Sequence, residues 1–281
     1  MVFETKEINP NELVDASSIE LNEDEKRKLW TKSHTTKMSP WGDISSAANM
    51  PLSMNDDSNF DNVEVQLEYI INWAVETYGQ EAFSKAKKEF YLLAGKFFYD
   101  DTNYNQRVHY FLDYFLFERK MSDHLSNLNS ESPYYEFINS DFFALSKHAD
   151  EIKKSILDFR GSKHSIFVVK KSNLSELTIV DLLTNEKIKV TPMEGQTFQG
   201  LDKGQVFQSF IYSWKGSNLL SKGIVLHPCE SWSVIIKTCK LHRKNQNNQS
   251  FALISKLAKL QIESKIRKPQ AIKMFYQNAL S

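Results

Sequence analysis

Residues 160–190, RGSKHSIFVVKKSNLSELTIVDLLTNEKIKV, divide the chain into two kinds of pattern. Before them apolar residues recur at helical spacing; within them the period falls toward two, in short runs rich in Ile, Val, Phe and Thr. The run continues through EKIKV and GQVFQSFIYSW to SKGIVLHP, with TNEK, EGQ, DKG and KGSN between as turns. This spacing predicts about five strands without intervening helices. Such a series argues for a small antiparallel barrel or strongly twisted sheet of the SH3-like or OB-like size class, spanning 160–228.

Working back from that boundary, residues 63–159 read as a helical domain. Val63, Leu67, Ile70, Ile71, Ala74 and Tyr78 form one amphipathic stripe that Gly79 ends. A second helix is predicted at about 81–98 and a third at about 104–121, with shorter ones at 134–146 and 149–159. The third, YNQRVHYFLDYFLFERKM, is apolar on nearly all sides, as expected of the buried member of a bundle. Forward of the boundary, 229–281 returns to helical spacing, and Pro269 stands where a first-turn proline is tolerated. The fold class predicted is α+β: a helical N-terminal domain, the small β-module, then C-terminal helices.

Residues 1–62 lack sustained periodicity and predict a largely flexible acidic arm, with a short helix at about 22–33. Trp30 and Trp41 within it are candidate anchors for a partner or for the protein's own body. Formal net charge is zero, which conceals an asymmetry. Met1–Asn62 holds twelve acids against six bases, whereas Lys237–Ser281 holds ten bases against Glu263 alone.

At FLDYFLFERK (111–120) and the β-module that follows, the chain resembles a poorly characterised bacterial family that joins an aromatic helical region to a small β-module. Relatives of that kind end a strand in a D-L-L-T-G-E turn; here Asn185 stands at the glycine position, a substitution the left-handed region tolerates. Some members carry a C-terminal SEC-C-type zinc motif. No Cys-x-Cys pair closes this chain, so that motif is absent here. The resemblance implies architecture and no particular activity.

The stretch HPCESWSVIIKTCKLH (227–242) offers His227, Cys229, Cys239 and His242, donors of the types zinc takes. Their spacing is wrong for a shared ion. Cys229 and Cys239 lie ten residues apart along a predicted helix, on the order of 15 Å along its axis. No metal or cofactor is expected. His109 and Asp113, at i and i+4, are the pair that acid–base chemistry would use if they faced a pocket, and Asp181 reads as a turn residue. G-x-S-x-G, H-E-x-x-H and phosphate-cradling glycine loops are absent.

With enzyme signatures missing, a protein-interaction or scaffold role is the first expectation, nucleic-acid association through the basic tail the second, and an unrecognised hydrolase the third. Phe251, Lys256, Lys259, Lys265, Arg267 and Lys268 are the tail's candidate partner-binding residues. SFALISKLAKL places Phe251, Ile254, Leu257 and Ala258 on one face with lysines opposite. Phe207, Phe210, Tyr212 and Trp214 are the aromatics a nucleic-acid face would use. The opening MVFETKEINPNELVD has neither a basic n-region nor an apolar h-region, and no run is long enough to span a bilayer, so a cytoplasmic location is expected.

Overall fold

Asn62 opens the first helix because its side chain accepts a hydrogen bond from the Glu64 amide at 2.8 Å, satisfying one of the free N–H groups at a helix start. The computed structural model describes residues 60–121, 131–193, 197–245 and 250–281. Trp30, Trp41, the helix expected at 22–33 and nearly all of the acidic arm lie outside the described residues.

Helix α1 (Val63–Ala94) is interrupted at Gly79, whose φ of 81° and ψ of 161° only glycine adopts readily, so the stop read from the sequence is a real break. Helix α2 (Tyr104–Asp113) runs into a single wide π turn at Tyr114–Glu118 rather than continuing to 121. Arg119 leaves the helix with extended backbone and its guanidinium pairs with Glu89 of α1 at 2.7 Å. The all-round apolar character of this run has the predicted consequence: Tyr110 through Leu116 are all buried. The helix expected over 134–146 is two, α3 (Pro133–Ile138) and α4 (Asp141–Ala144), because the Ser140 hydroxyl caps the Phe143 amide at 3.2 Å and starts a new turn. Helix α5 (Asp150–Asp158) follows.

The sheet has six strands: β1 (Lys163–Ser172), β2 (Leu177–Asp181), β3 (Lys187–Val190), β4 (Val206–Trp214), β5 (Ser217–Leu220) and β6 (Val225–Leu226). Their order is β3-β2-β1-β4-β5, with β6 on β4, and every strand pair is antiparallel. The sheet curls until its ends meet, where the Thr191 amide beyond β3 donates to the Asn218 carbonyl of β5 at 2.9 Å. It is a curled half-barrel. One strand more is present than the spacing predicts, since KGSN is only half a turn. Lys215 and Gly216 take φ of 48° and 73°, the pair of left-handed residues that a two-residue hairpin needs, and Ser217 and Asn218 already belong to β5.

Both faces of the sheet are covered, which explains why SIFVV in β1 does not alternate strictly. Phe167, Val169, Ile179, Val190, Phe207 and Ile211 fill the inside of the curl. Ile166, Val168 and Val206 pack outward against Ile235, Cys239, Ile254, Leu257 and Tyr276, from α6 (Trp232–Lys244), α7 (Ser250–Ser264) and α8 (Pro269–Leu280). The β-module and the C-terminal helices therefore share one core. Among the described residues no helix is long and apolar enough to cross a membrane.

Candidate functional site

Helix α2 is the spine from which the chemistry of the molecule is arranged, because successive residues on it point at the sheet, the C-terminal helices and an open cavity. Toward the sheet, Tyr110 accepts from Gln208 Nε2 at 2.6 Å and stands 2.7 Å from His164 Nε2. His164 Nδ1 in turn lies 3.2 Å from Glu118. On the other side of Gln208, its Oε1 is 3.0 Å from His227 Nε2, and His227 Nδ1 is 3.4 Å from the Tyr276 hydroxyl. One set of proton positions satisfies every link: Tyr276 donates to His227, His227 to Gln208, Gln208 to Tyr110, Tyr110 to His164, and His164 to the Glu118 carboxylate. The chain joins α8, the end of β6, β4, α2 and β1.

Gln208 is fully buried in the middle of β4, and its amide also donates to the Ile254 carbonyl of α7 at 3.1 Å. Burial drives the His227 imidazole down to about 3, assisted by the field of the Arg107 guanidinium, so it is neutral at ordinary pH, as its position in the chain demands. Arg107 is 2% exposed; its Nη2 donates to the Ala258 carbonyl at 3.2 Å and to Gln261, while Nη1 has no hydrogen-bond partner among the described residues. Replacing Gln208 with Leu preserves volume but leaves the buried His227 donor without its acceptor and removes the extra bonds to the Tyr110 hydroxyl and the Ile254 carbonyl. A loss of about 2 kcal/mol is expected in urea unfolding of the variant. A change within about 0.5 kcal/mol would show that these groups reach water.

One turn along α2, Asp113 is held in a second buried cluster. Its Oδ2 accepts from the Ser221 hydroxyl at 2.5 Å and its Oδ1 from the Tyr212 hydroxyl. Desolvation raises this carboxyl to about 7 against the pull of those two donors. The third face of α2 opens on a cavity of about 420 Å³ lined by Asn105, Gln106 and His109, by the 197–201 loop, and by Lys222, Ile224 and Leu226. Burial lowers the His109 imidazole to about 4, with the Lys222 ammonium acting in the same direction and Glu64 against it. Lys222 is itself paired with Glu64 at 2.5 Å.

The two residues that the i, i+4 spacing suggests for acid–base chemistry are thus divided: His109 lines the cavity, and Asp113 sits in filled core with both carboxylate oxygens engaged. Asp181 does turn work. Its Oδ1 accepts from the Leu183 amide at 2.8 Å and the Ser165 hydroxyl at 2.6 Å, and Asn185 takes the left-handed φ of 68°. Of the four zinc-type donors, His227 is taken up in the buried chain, Cys229 is exposed, Cys239 is in the core between sheet and helices, and His242 approaches Ser250 at 3.4 Å. No cluster of three or more His, Cys, Asp or Glu residues suited to a metal occurs among the described residues.

Among the tail residues, Phe251 is not available as a free anchor: it is half-buried and stacks on Tyr114 with centroids 5.7 Å apart. Ile254, Leu257 and Ala258 are in the core, so the apolar face of α7 is used internally. Phe207, Phe210 and Tyr212 are likewise buried, and Trp214 donates to Gln66 at 3.0 Å. Lys256, Lys259, Lys265, Arg267 and Lys268 are exposed. Lys265 reaches Asp101 at 3.4 Å, and the Arg267 guanidinium lies over the Phe275 ring at 3.7 Å.

That ion pair brings the α7–α8 corner beside the 95–103 loop. Gly95 is pressed against α7 so closely that a Cβ there would lie 2.9 Å from Ile262. Around that ion pair Phe98 is 55% exposed, Tyr99 49% and Ile266 90%. Lys96 covers one face of Phe98 at 4.8 Å. Comparison with protein-family models, curated proteins and solved structures gave no match to this chain.

The spacing of His109 and Asp113 points to α2, whereas no spacing marks Gln208, His164, Glu118 or Tyr276. The signal present for them is an amide inside an otherwise apolar strand, VFQSFIY, where a buried polar residue needs partners. The cavity has no signal, since its wall comes from three separated segments.

Proposed function

We propose that the protein is a cytoplasmic, non-enzymatic binding module, in which a small β-module of the SH3-like or OB-like class serves as a rigid hub and recognition is of another protein. The observation that carries this reading is the exposed face around the Lys265–Asp101 pair, where Phe98, Tyr99 and Ile266 stand outward beside Lys96, Lys259, Lys265 and Lys268. An exposed apolar patch rimmed by polar groups is the form that protein interaction surfaces take. Its chemistry favours a protein over a nucleic acid. Ile266, 90% exposed, is aliphatic and suits an apolar side chain of a protein partner, and Asp101 takes up the Lys265 ammonium that a phosphate would otherwise meet. The fully engaged carboxylate of Asp113 supports the non-enzymatic part of the reading.

The double substitution Phe98→Ser, Ile266→Ser changes two exposed positions and should leave the melting temperature within about 2 °C of wild type. Full-length protein and the variant are each recovered from lysate with and without nuclease, at low and high salt. A defined protein that survives both treatments and falls tenfold or more with the variant is the expected result. Recovery that vanishes with nuclease and falls steeply with salt would replace this reading with nucleic-acid association.

A further inference from the structure

We infer that the cavity beside α2 is a binding site for a small uncharged molecule of the nucleobase or nucleoside class. The cavity shares no residue with the exposed face around Lys265 and Asp101. At about 420 Å³ the cavity falls in the range of about 300–1,000 Å³ that holds small ligands. Its wall has two characters. Leu201, Ile224 and Leu226 give an apolar surface for a flat ring, while Asn105, Gln106 and Gln199 each present a planar carboxamide carrying a donor beside an acceptor. That adjacent donor and acceptor is the arrangement by which Asn and Gln recognise the edge of a base, and three such groups line this one space.

The wall is also electrically neutral, which separates this class from phosphorylated ligands. The cation lining it, Lys222, is held by Glu64 at 2.5 Å, and the half-buried His109 ring carries no charge near pH 7. A phosphate placed here would meet no unpaired cation among the lining residues, whereas a base or nucleoside brings no charge to be desolvated.

The test is isothermal titration of the full chain with adenosine, guanosine, cytidine, uridine and the free bases, with adenosine monophosphate and glucose as contrasting probes. At least one base or nucleoside should bind at probe concentrations up to about 1 mM, more tightly than its monophosphate. Asn105 is exposed on α2, so Asn105→Trp should fill the cavity and abolish the heat while leaving melting unchanged. Gln199→Leu, on an exposed loop, should weaken binding about tenfold by removing one amide pair, and it gives the same reading if Asn105→Trp folds poorly. Absence of binding by every base and nucleoside overturns the inference. So does tighter binding of the monophosphate, or binding that neither variant alters.

Discussion

Substituting Gly223 with Ala should destabilise the protein by about 3 kcal/mol or more, lowering its melting temperature by roughly 10 °C, although only one methyl group is added. A Cβ at this position would lie 2.6 Å from the Tyr110 nitrogen, 2.7 Å from its Cα and 2.8 Å from Asp113 Oδ2. The first two are backbone atoms of α2 and cannot rotate aside. To admit the methyl, the helix must lift from the sheet, which strains the Tyr212–Asp113–Ser221 cluster and the Gln208–Tyr110 bond at the same time. Gly223 is fixed from its own side too: its amide donates to Ser221 at 2.8 Å and its carbonyl accepts from the Ser209 hydroxyl at 2.9 Å. Gly200→Ala provides the contrast. Its Cβ meets nothing within 4 Å, so its cost should come from the φ of 84° alone, about 1 kcal/mol. If the two variants melt alike, α2 does not seat on Gly223 as described.

These contacts also explain what can and cannot be read from the sequence. Helix and strand positions are legible wherever periodicity and punctuation agree, as at Gly79, at Pro269 and through β1 to β4. They fail where one residue type serves two conformations: KGSN reads as a turn, and only the backbone of Lys215–Gly216 shows that the turn ends two residues earlier. Ser140, likewise, is as common inside a loop as at a helix start. Long-range polar pairing is the least legible. Spacing along α2 suggests that His109 and Asp113 act together, yet Asp113 finds its partners about a hundred residues away at Tyr212 and Ser221. The tail's lysines do stand outward, as their helical spacing implies, but Phe251 spends its ring on Tyr114, a contact no local pattern encodes.

The second large effect concerns Asp113 and depends on pH. In the unfolded chain its carboxyl titrates near 3.8; in the fold burial raises it to about 7. Between those values the folded protein holds a proton that the unfolded chain has released. The stabilising contribution of this group is therefore fully present below pH 4 and is lost as pH rises through 7, by an amount on the order of 4 kcal/mol. His227 and His109 act in the opposite sense. Their folded values of about 3 and 4 lie below the ordinary 6.5, so they cost stability as pH falls from 6.5. Because the terms oppose one another, the wild-type profile alone cannot isolate Asp113, and the informative quantity is the difference between Asp113→Asn and wild type. The carboxamide of that variant would still accept from Tyr212 but would leave the Ser221 hydroxyl without its acceptor, so near pH 4 the variant should be weaker by about 1 kcal/mol. As pH rises from 4 the unfolded wild-type chain releases this proton while the fold still holds it, so the difference should change sign before the native carboxyl ionises, and by pH 8 the variant should be the more stable by about 3 kcal/mol. Asp113→Ala lacks both acceptors and leaves a void, and should lose about 3 kcal/mol near pH 5. Urea unfolding of the three proteins from pH 4 to 8 measures this directly. A difference that stays flat across that range would mean that Asp113 ionises as an exposed carboxylate does, and that the seam between α2 and the sheet admits water.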